Sequence, residues 1–153
     1  MPNGRYTLVL EAQKMHELFE QLKSEAKWED IIFESDKRIQ LSPHVGRFHY
    51  YRGYGLYQLH RFDEAEPSLM RAHTLDETQT EAAVMRAQCL ETLSRYKDAM
   101  DLVKELLTHM PNDHRLLGLH EFLSTKWTAV EHDAWEKSRL SGTKIVWSSS
   151  HDD

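Results

Sequence analysis

Lys27-Trp28-Glu29-Asp30-Ile31, Arg61-Phe62-Asp63-Glu64-Ala65 and Arg95-Tyr96-Lys97-Asp98-Ala99 repeat one frame: basic, aromatic, any residue, acidic, then Ala or Ile. The copies lie 34 residues apart with no insertion. A period that constant points to stacked structural repeats, not to a globular enzyme core. The same spacing links Leu22, Leu56 and Leu90, then Phe19, Gly53 and Ala87, then Leu41, Leu75 and His109. Ser35, Leu69 and Val103 form a weaker set, and so do Arg38, Ala72 and Leu106. Pro43 and Pro111 stand two periods apart, with Glu77 midway. Inside each unit apolar residues recur at helical intervals, as in Leu90, Leu93 and Tyr96 or Ala99, Val103 and Leu106. Each unit therefore reads as two antiparallel helices.

This arrangement resembles the tetratricopeptide repeat (TPR) family. The residues that carry the likeness are the small Gly53 and Ala87 in first helices, and Ala65 and Ala99 near the start of second helices. Ala72 later in a second helix, the inter-helix aromatics Trp28, Phe62 and Tyr96, and the closing Pro43 and Pro111 complete the match. The resemblance implies an all-α fold, a right-handed superhelix of antiparallel helix pairs with three repeats and a C-terminal capping helix. The expected organisation is a helical domain over residues 1–140, with repeats at about 12–45, 46–79 and 80–113 and a cap at 114–140. Residues 141–153 are expected to form a flexible tail, given Ser148-Ser149-Ser150-His151-Asp152-Asp153.

Several positions depart from the pattern. Phe19 stands where a small residue is usual, and Ile31, Ser35 and Arg38 weaken the first unit, as expected of a terminal repeat with one unpaired side. Pro67 falls inside the expected second helix of unit two and predicts a local bend or a late start at Asp63. Asn112 or Asp113 can cap a helix bearing Leu116, Leu119, Leu123, Trp127 and Val130, which Ser141-Gly142 would close. Thr143 to Trp147 is a short β-prone stretch, either a flap on the helices or an exposed interaction segment.

Composition excludes several functions. The net charge of −6, with Lys and Arg scattered, argues against a nucleic-acid surface. No apolar run approaches 18 residues, so no membrane span is expected, and the Thr7–Leu10 stretch is too short for a signal-peptide core. The lone Cys89 falls on an apolar face and is expected to be a core residue, with a reducing cytoplasm the simplest compartment. Ten His residues invite a metal site, but the densest set, His109, His114 and His120, has no pair at i,i+4, and His109 stands where the other two units have Leu, so no metal or other cofactor is expected. The recurring acids Asp30, Glu64 and Asp98 open second helices, where the positive dipole end favours them. No phosphate loop, nucleophile elbow or His-Glu-x-x-His motif is present, so no enzymatic activity is expected.

The most informative functional feature is the run Tyr50, Tyr54 and Tyr57, spaced i, i+4, i+7 on the first helix of unit two. The family resemblance places first helices along a concave groove. Arg47 precedes the stripe by one turn, and His16, Glu20, Gln88 and Glu91 are expected to project from the flanking units. Two readings fit the stripe: contact with a partner, or packing against a neighbouring helix. Tyr51 lies off it and is expected to be buried. The resemblance implies a protein-interaction module that holds a peptide or helix, an adaptor or assembly subunit; the alternative is a chaperone-like holder of an apolar client segment. Chaperone-binding members of the family hold a C-terminal carboxylate with Lys, Asn and Arg. The matching positions here are His16, Glu20, Tyr51, Glu81 and Met85, so the acidic tails of Hsp70 and Hsp90 are disfavoured partners.

Overall fold

A computed structural model describes residues 4–142; the Thr143–Trp147 stretch and most of the expected tail lie outside the described residues. Among the described residues there are seven α-helices and no strand. They are α1 (Gly4–Ser24), α2 (Trp28–Leu41), α3 (Gly46–Gln58), α4 (Phe62–Leu75), α5 (Thr80–Thr92), α6 (Tyr96–His109) and α7 (His114–Ser141). The expected helices are therefore present. The chain divides into two compact units, Met1–Ser94 with α1 to α5 and Arg95–Asp153 with α6 and α7.

The repeated frame has a local physical cause. Helices α2, α4 and α6 begin at Trp28, Phe62 and Tyr96, each one period from the next. Their N-cap residues are Lys27, Arg61 and Arg95, which make no side-chain cap bond. Lys and Arg offer no acceptor to the free N–H groups of the first turn, so acidic residues in that turn complement the dipole instead. Arg61 reaches Glu64 at 2.5 Å and Arg95 reaches Asp98 at 3.0 Å, the basic and acidic positions of the frame. Just before each N-cap stands a residue with a left-handed backbone: Ala26 (φ 54°), His60 (φ 59°) and Ser94 (φ 60°). The amides of Lys27 and Arg61 donate to Leu22 and Leu56 carbonyls, both at 2.9 Å, and those of Ala26 and His60 donate to Lys23 and Tyr57. This is the Schellman closure of a helix C-terminus. Leu22 and Leu56, two of the periodic leucines, thus stand at carbonyls that the turn satisfies.

In the first unit α3 is gripped on two sides by glycine contacts. A Cβ on Gly53 would lie 2.7 Å from Leu69 of α4, and one on Gly55 would lie 3.0 Å from the Trp28 carbonyl and from Ile32 of α2. A Cβ on Gly46 would lie 2.8 Å from the Ala72 carbonyl. Leu56, Ala65, Leu69, Ala72, Ala82 and Cys89 form the fully buried centre of one core cluster. Phe19, Ile31 and Tyr51 form a second cluster. Phe19, too large for the position it holds in the repeat, is accommodated by stacking on Tyr51, centroids 4.2 Å apart and planes 7° off parallel. Buried Ser35 returns its hydroxyl proton to the Ile31 carbonyl at 2.7 Å, so the polar residue costs little there. Polar links join the helices: Arg86 to Glu66 at 2.8 Å, and Arg52 to both Asp36 (2.8 Å) and Ser68 (2.5 Å).

The late start at Asp63 that Pro67 suggested does not occur. Helix α4 starts at Phe62, in register with α2 and α6, and continues through Pro67 to Leu75. Pro67 is the sixth residue of α4, so it removes the amide that would otherwise donate to the Asp63 carbonyl, and the helix continues on its remaining bonds and its buried face.

In the second unit, α6 buries Ala99, Leu102, Val103 and Leu106 along one face. Helix α7 is capped as its sequence predicts: Asp113 accepts from the Arg115 and Leu116 amides, and Gly142 (φ 71°) closes the other end. Its buried residues are Leu116 and Leu123, both in the first half. Val130, Trp135 and Leu140 are exposed.

Candidate functional site

The α3 surface is built from the way α3 is seated. Gly53 and Gly55 seat α3 against α4 and α2, and Tyr50, Tyr54 and Tyr57 are left half-buried beside the core cluster. Their rings form a connected set. Tyr50 and Tyr54 have centroids 6.0 Å apart, and Tyr54 lies 5.8 Å from the Trp28 indole. Tyr57 meets Phe62 edge-on at 5.3 Å. Each of the three side chains is thus partly packed against the core and partly open to solvent.

The flanking residues come together unequally. His16 and Glu20 on α1 converge on Tyr51, which is buried as expected. His16 Nδ1 lies 3.2 Å from the Tyr51 hydroxyl, and that hydroxyl donates to Glu20 Oε1 at 3.5 Å. For both bonds to form together, Nδ1 of His16 must carry its proton. Arg47 is exposed at the start of α3. Gln88 and Glu91 lie one turn apart on α5, both half-buried, and Glu91 is within electrostatic reach of Tyr57.

Two contributors escaped the sequence reading of the site. Lys23 of α1 lays its ammonium 4.5 Å from the Tyr54 ring centroid while also reaching Glu20 at 3.5 Å. Trp28 adds its indole to the aromatic set. The period held the signal for Lys23, because His16, Glu20 and Lys23 are the counterparts, one repeat earlier, of Tyr50, Tyr54 and Tyr57.

The electrostatics are those of a partly dry, negative surface. Burial pushes the Tyr51 hydroxyl up to about 12, with Glu20 adding and Arg47 opposing. Burial also raises Tyr50, and the Glu81 and Glu20 carboxylates raise it further. Tyr57 rises for the same first reason, burial. These phenols stay neutral donors at physiological pH. Burial pushes the Cys89 thiol up to about 12, so it is protonated and inert as a nucleophile. Among the described residues, no group of three or more His, Cys, Asp or Glu is placed to hold a metal ion. No described helix is long and apolar enough to cross a membrane.

Helices that recur with a 34-residue period, with an aromatic face on one of them, define a helical-repeat scaffold. Residues 56–121 match the sequence profile of the tetratricopeptide repeat family, and the chain has the tetratricopeptide repeat fold. Among solved structures, the TPR domain of Arabidopsis OM64 is 20% identical with a TM-score of 0.68, over 74% of this chain and 94% of that one. The first TPR domain of Spaghetti (RPAP3), solved bound to the HSP90 peptide SRMEEVD, is 19% identical with a TM-score of 0.68, over 73% and 89%. The Yersinia enterocolitica type III secretion chaperone SycD, solved with a peptide of the translocator YopD, is 16% identical with a TM-score of 0.68, over 75% and 93%. No curated protein matches the sequence.

Proposed function

We propose that this chain is a non-catalytic, cytoplasmic protein-interaction module, an adaptor or assembly subunit, that binds a peptide or helix of another protein along the α1, α3 and α5 face. The observation that carries this reading is the half-buried Tyr50, Tyr54 and Tyr57 set. Residues needed only for stacking should recur with the period, yet these positions are His16, Glu20 and Lys23 one repeat earlier and Val84, Gln88 and Glu91 one repeat later. Tyrosines already fixed by neighbours lose little freedom on binding, which makes them efficient contact residues. Arg47 stands where it can pair a carbonyl or acidic group of the ligand. Nucleic acid is a poor ligand for a face that carries Glu20, Glu81 and Glu91.

The family resemblance puts Glu20 and Glu81 at carboxylate-clamp positions, where an acidic tail such as SRMEEVD would meet like charge. Calorimetric titration with that peptide should show no binding. A chaperone-like holder is the second reading, favoured by the structural likeness to SycD.

Affinity purification followed by a Kd measurement on the recovered partner tests the proposal. Tyr54→Ala should weaken binding about tenfold or more, as truncated aromatic hot spots do, while the protein still melts cooperatively. Unchanged binding together with a fall in Tm of several degrees would make the Tyr set a purely packing feature. Limited proteolysis of the bound partner separates a folded scaffold from an unfolded client.

A further inference from the structure

Resting on the reading that the α3 face receives a segment of another protein, we propose that this segment is proline-rich and extended in the polyproline II conformation, with prolyl rings against the Tyr54–Trp28 and Tyr57–Phe62 ring pairs and carbonyls accepting from tyrosine hydroxyls. Each pair joins a ring of α3 to the aromatic that opens α2 or α4. Tyr54 and Trp28 lie 5.8 Å apart with planes inclined by 56°, and Tyr57 and Phe62 lie 5.3 Å apart at 80°. All four side chains are half-buried. A steeply inclined pair offers a flat pyrrolidine ring a floor and a wall. The electrostatics are complementary as well: prolyl C–H groups, polarised by the adjoining amide nitrogen, are drawn to the negative faces of aromatic rings. One repeat on, Gln88 and Glu91 replace Tyr54 and Tyr57, so rings at these positions are particular to α3.

The hydroxyls decide between ligand conformations. Tyr51 donates its hydroxyl to Glu20. Among the described residues, the hydroxyls of Tyr50, Tyr54 and Tyr57 donate to no protein acceptor, and none of them is sealed from solvent. At about 1.5 Å per residue, the stripe from Tyr50 to Tyr57 runs roughly 10 Å along α3. A polyproline II helix turns once in about 9 Å, so carbonyls one turn apart face the same side at nearly that spacing. Its backbone has no internal hydrogen bonds, which leaves those carbonyls free to accept. An α-helical ligand has its carbonyls bonded internally and would leave the donors facing satisfied groups. Carboxylates at the edge of the face are engaged, Glu20 by Lys23 and Tyr51 and Glu91 by Thr92. Peptide N–H groups would compete for those acids, whereas prolyl residues bring acceptors and no N–H.

The test uses the full chain and fluorescein-labelled decaproline, with a Gly/Ser peptide of equal length as control, read by fluorescence polarisation. Decaproline should bind saturably, and the Gly/Ser peptide should not. Tyr54→Ala should weaken decaproline binding about tenfold or more. The triple variant Tyr50→Phe/Tyr54→Phe/Tyr57→Phe keeps the rings and removes the donors, and should weaken it about fivefold or more. If thermal melts show that the triple variant does not fold, Tyr54→Phe alone replaces it, with a loss of about two- to threefold. Failure of decaproline to bind, equal binding of the Gly/Ser peptide, indifference to Tyr54→Ala or full affinity in the folded Phe variant would each overturn the inference. The groove reading is judged separately on the recovered partner. It survives if that partner loses affinity on Tyr54→Ala and falls if it does not.

Discussion

Replacing Gly53 by Ala should destabilise this protein, although Ala is the better helix former. The helix-propensity gain is about 0.8–1 kcal/mol in favour of Ala. Against it stands the crossing of α3 and α4. The new Cβ would lie 2.7 Å from both Cγ and Cδ2 of Leu69 and 3.3 Å from its backbone N. Leu69 is fully buried, so its side chain has no open space into which to turn. Overpacking of this kind costs about 1–3 kcal/mol, which leaves a net loss of up to about 2 kcal/mol. Gly118 supplies the control. It lies inside α7 with nothing within 4 Å of the added methyl, so Gly118→Ala should return the propensity gain in full. The two substitutions are chemically identical and should have opposite signs. With about 2–4 °C per kcal/mol for a chain of this size, scanning calorimetry should record a fall for Gly53→Ala and a rise of about 2–4 °C for Gly118→Ala. Equal rises for both would refute the close approach of α3 to α4, and with it the account of how the tyrosine face is presented.

Ser94→Gly and Ala26→Gly should each stabilise by about 0.5–1 kcal/mol. A left-handed backbone costs a non-Gly residue about 1–2 kcal/mol, partly offset by the greater freedom of Gly in the unfolded chain; thermal melts check the gain. Asp113→Ala should cost about 1 kcal/mol through loss of the α7 N-cap, measured by urea unfolding. Hydrogen bonds from Arg115 hold the Asp113 carboxyl below the usual carboxylate range, so its contribution is present at neutral pH and fades as pH falls through its lowered folded value. The Asp113→Ala difference should therefore shrink in acid. A chain ended after Pro111 should aggregate or melt early, because it loses the fully buried Leu116 and Leu123, worth about 1.5–3 kcal/mol each. A chain ended after Val130 should keep its Tm within a few degrees, since neither buried residue of α7 is removed.

What could be read from the sequence was whatever repeats or is dictated by residue type. The frame around Trp28, Phe62 and Tyr96 placed the starts of three helices, because a basic–aromatic–acidic sequence at a helix entry has a local cause. Asp113 and Gly142 likewise marked both ends of α7 by their own chemistry. The left-handed residues were invisible, since Ala26, His60 and Ser94 share no side-chain property and none is glycine. They share only a place in the Schellman turn. Gly53 was legible as a periodic small residue, whereas Gly46 and Gly55 fall at close approaches that depend on the rotation of α3 against its neighbours. The extent of α1, which begins at Gly4, was also hidden, because its first turns are exposed and carry no periodic residues. At the candidate site, the tyrosines stood out by breaking the period. Lys23 and Trp28 did not, because their roles depend on side chains reaching across from α1 and α2 to the Tyr54 ring.

The tyrosine face and the glycine contacts are one design seen from two sides. Gly46, Gly53 and Gly55 lie in a helix of only 13 residues, a composition that would not hold a helix in isolation. Tertiary contact on both flanks makes the segment helical. Close seating against α2 and α4 lets the rings of Tyr50, Tyr54 and Tyr57 rest partly on the core. A side chain so placed is held in one rotamer before any ligand arrives, and much of its surface is already dry. Both effects lower the cost of binding at this face relative to a tyrosine standing free in solvent. They also explain why partial burial does not argue against an interaction surface here. A stripe serving only the core would be closed by a neighbouring helix, as Tyr51 is by Phe19, whereas these three rings keep open edges beside Glu20, Glu81 and Glu91.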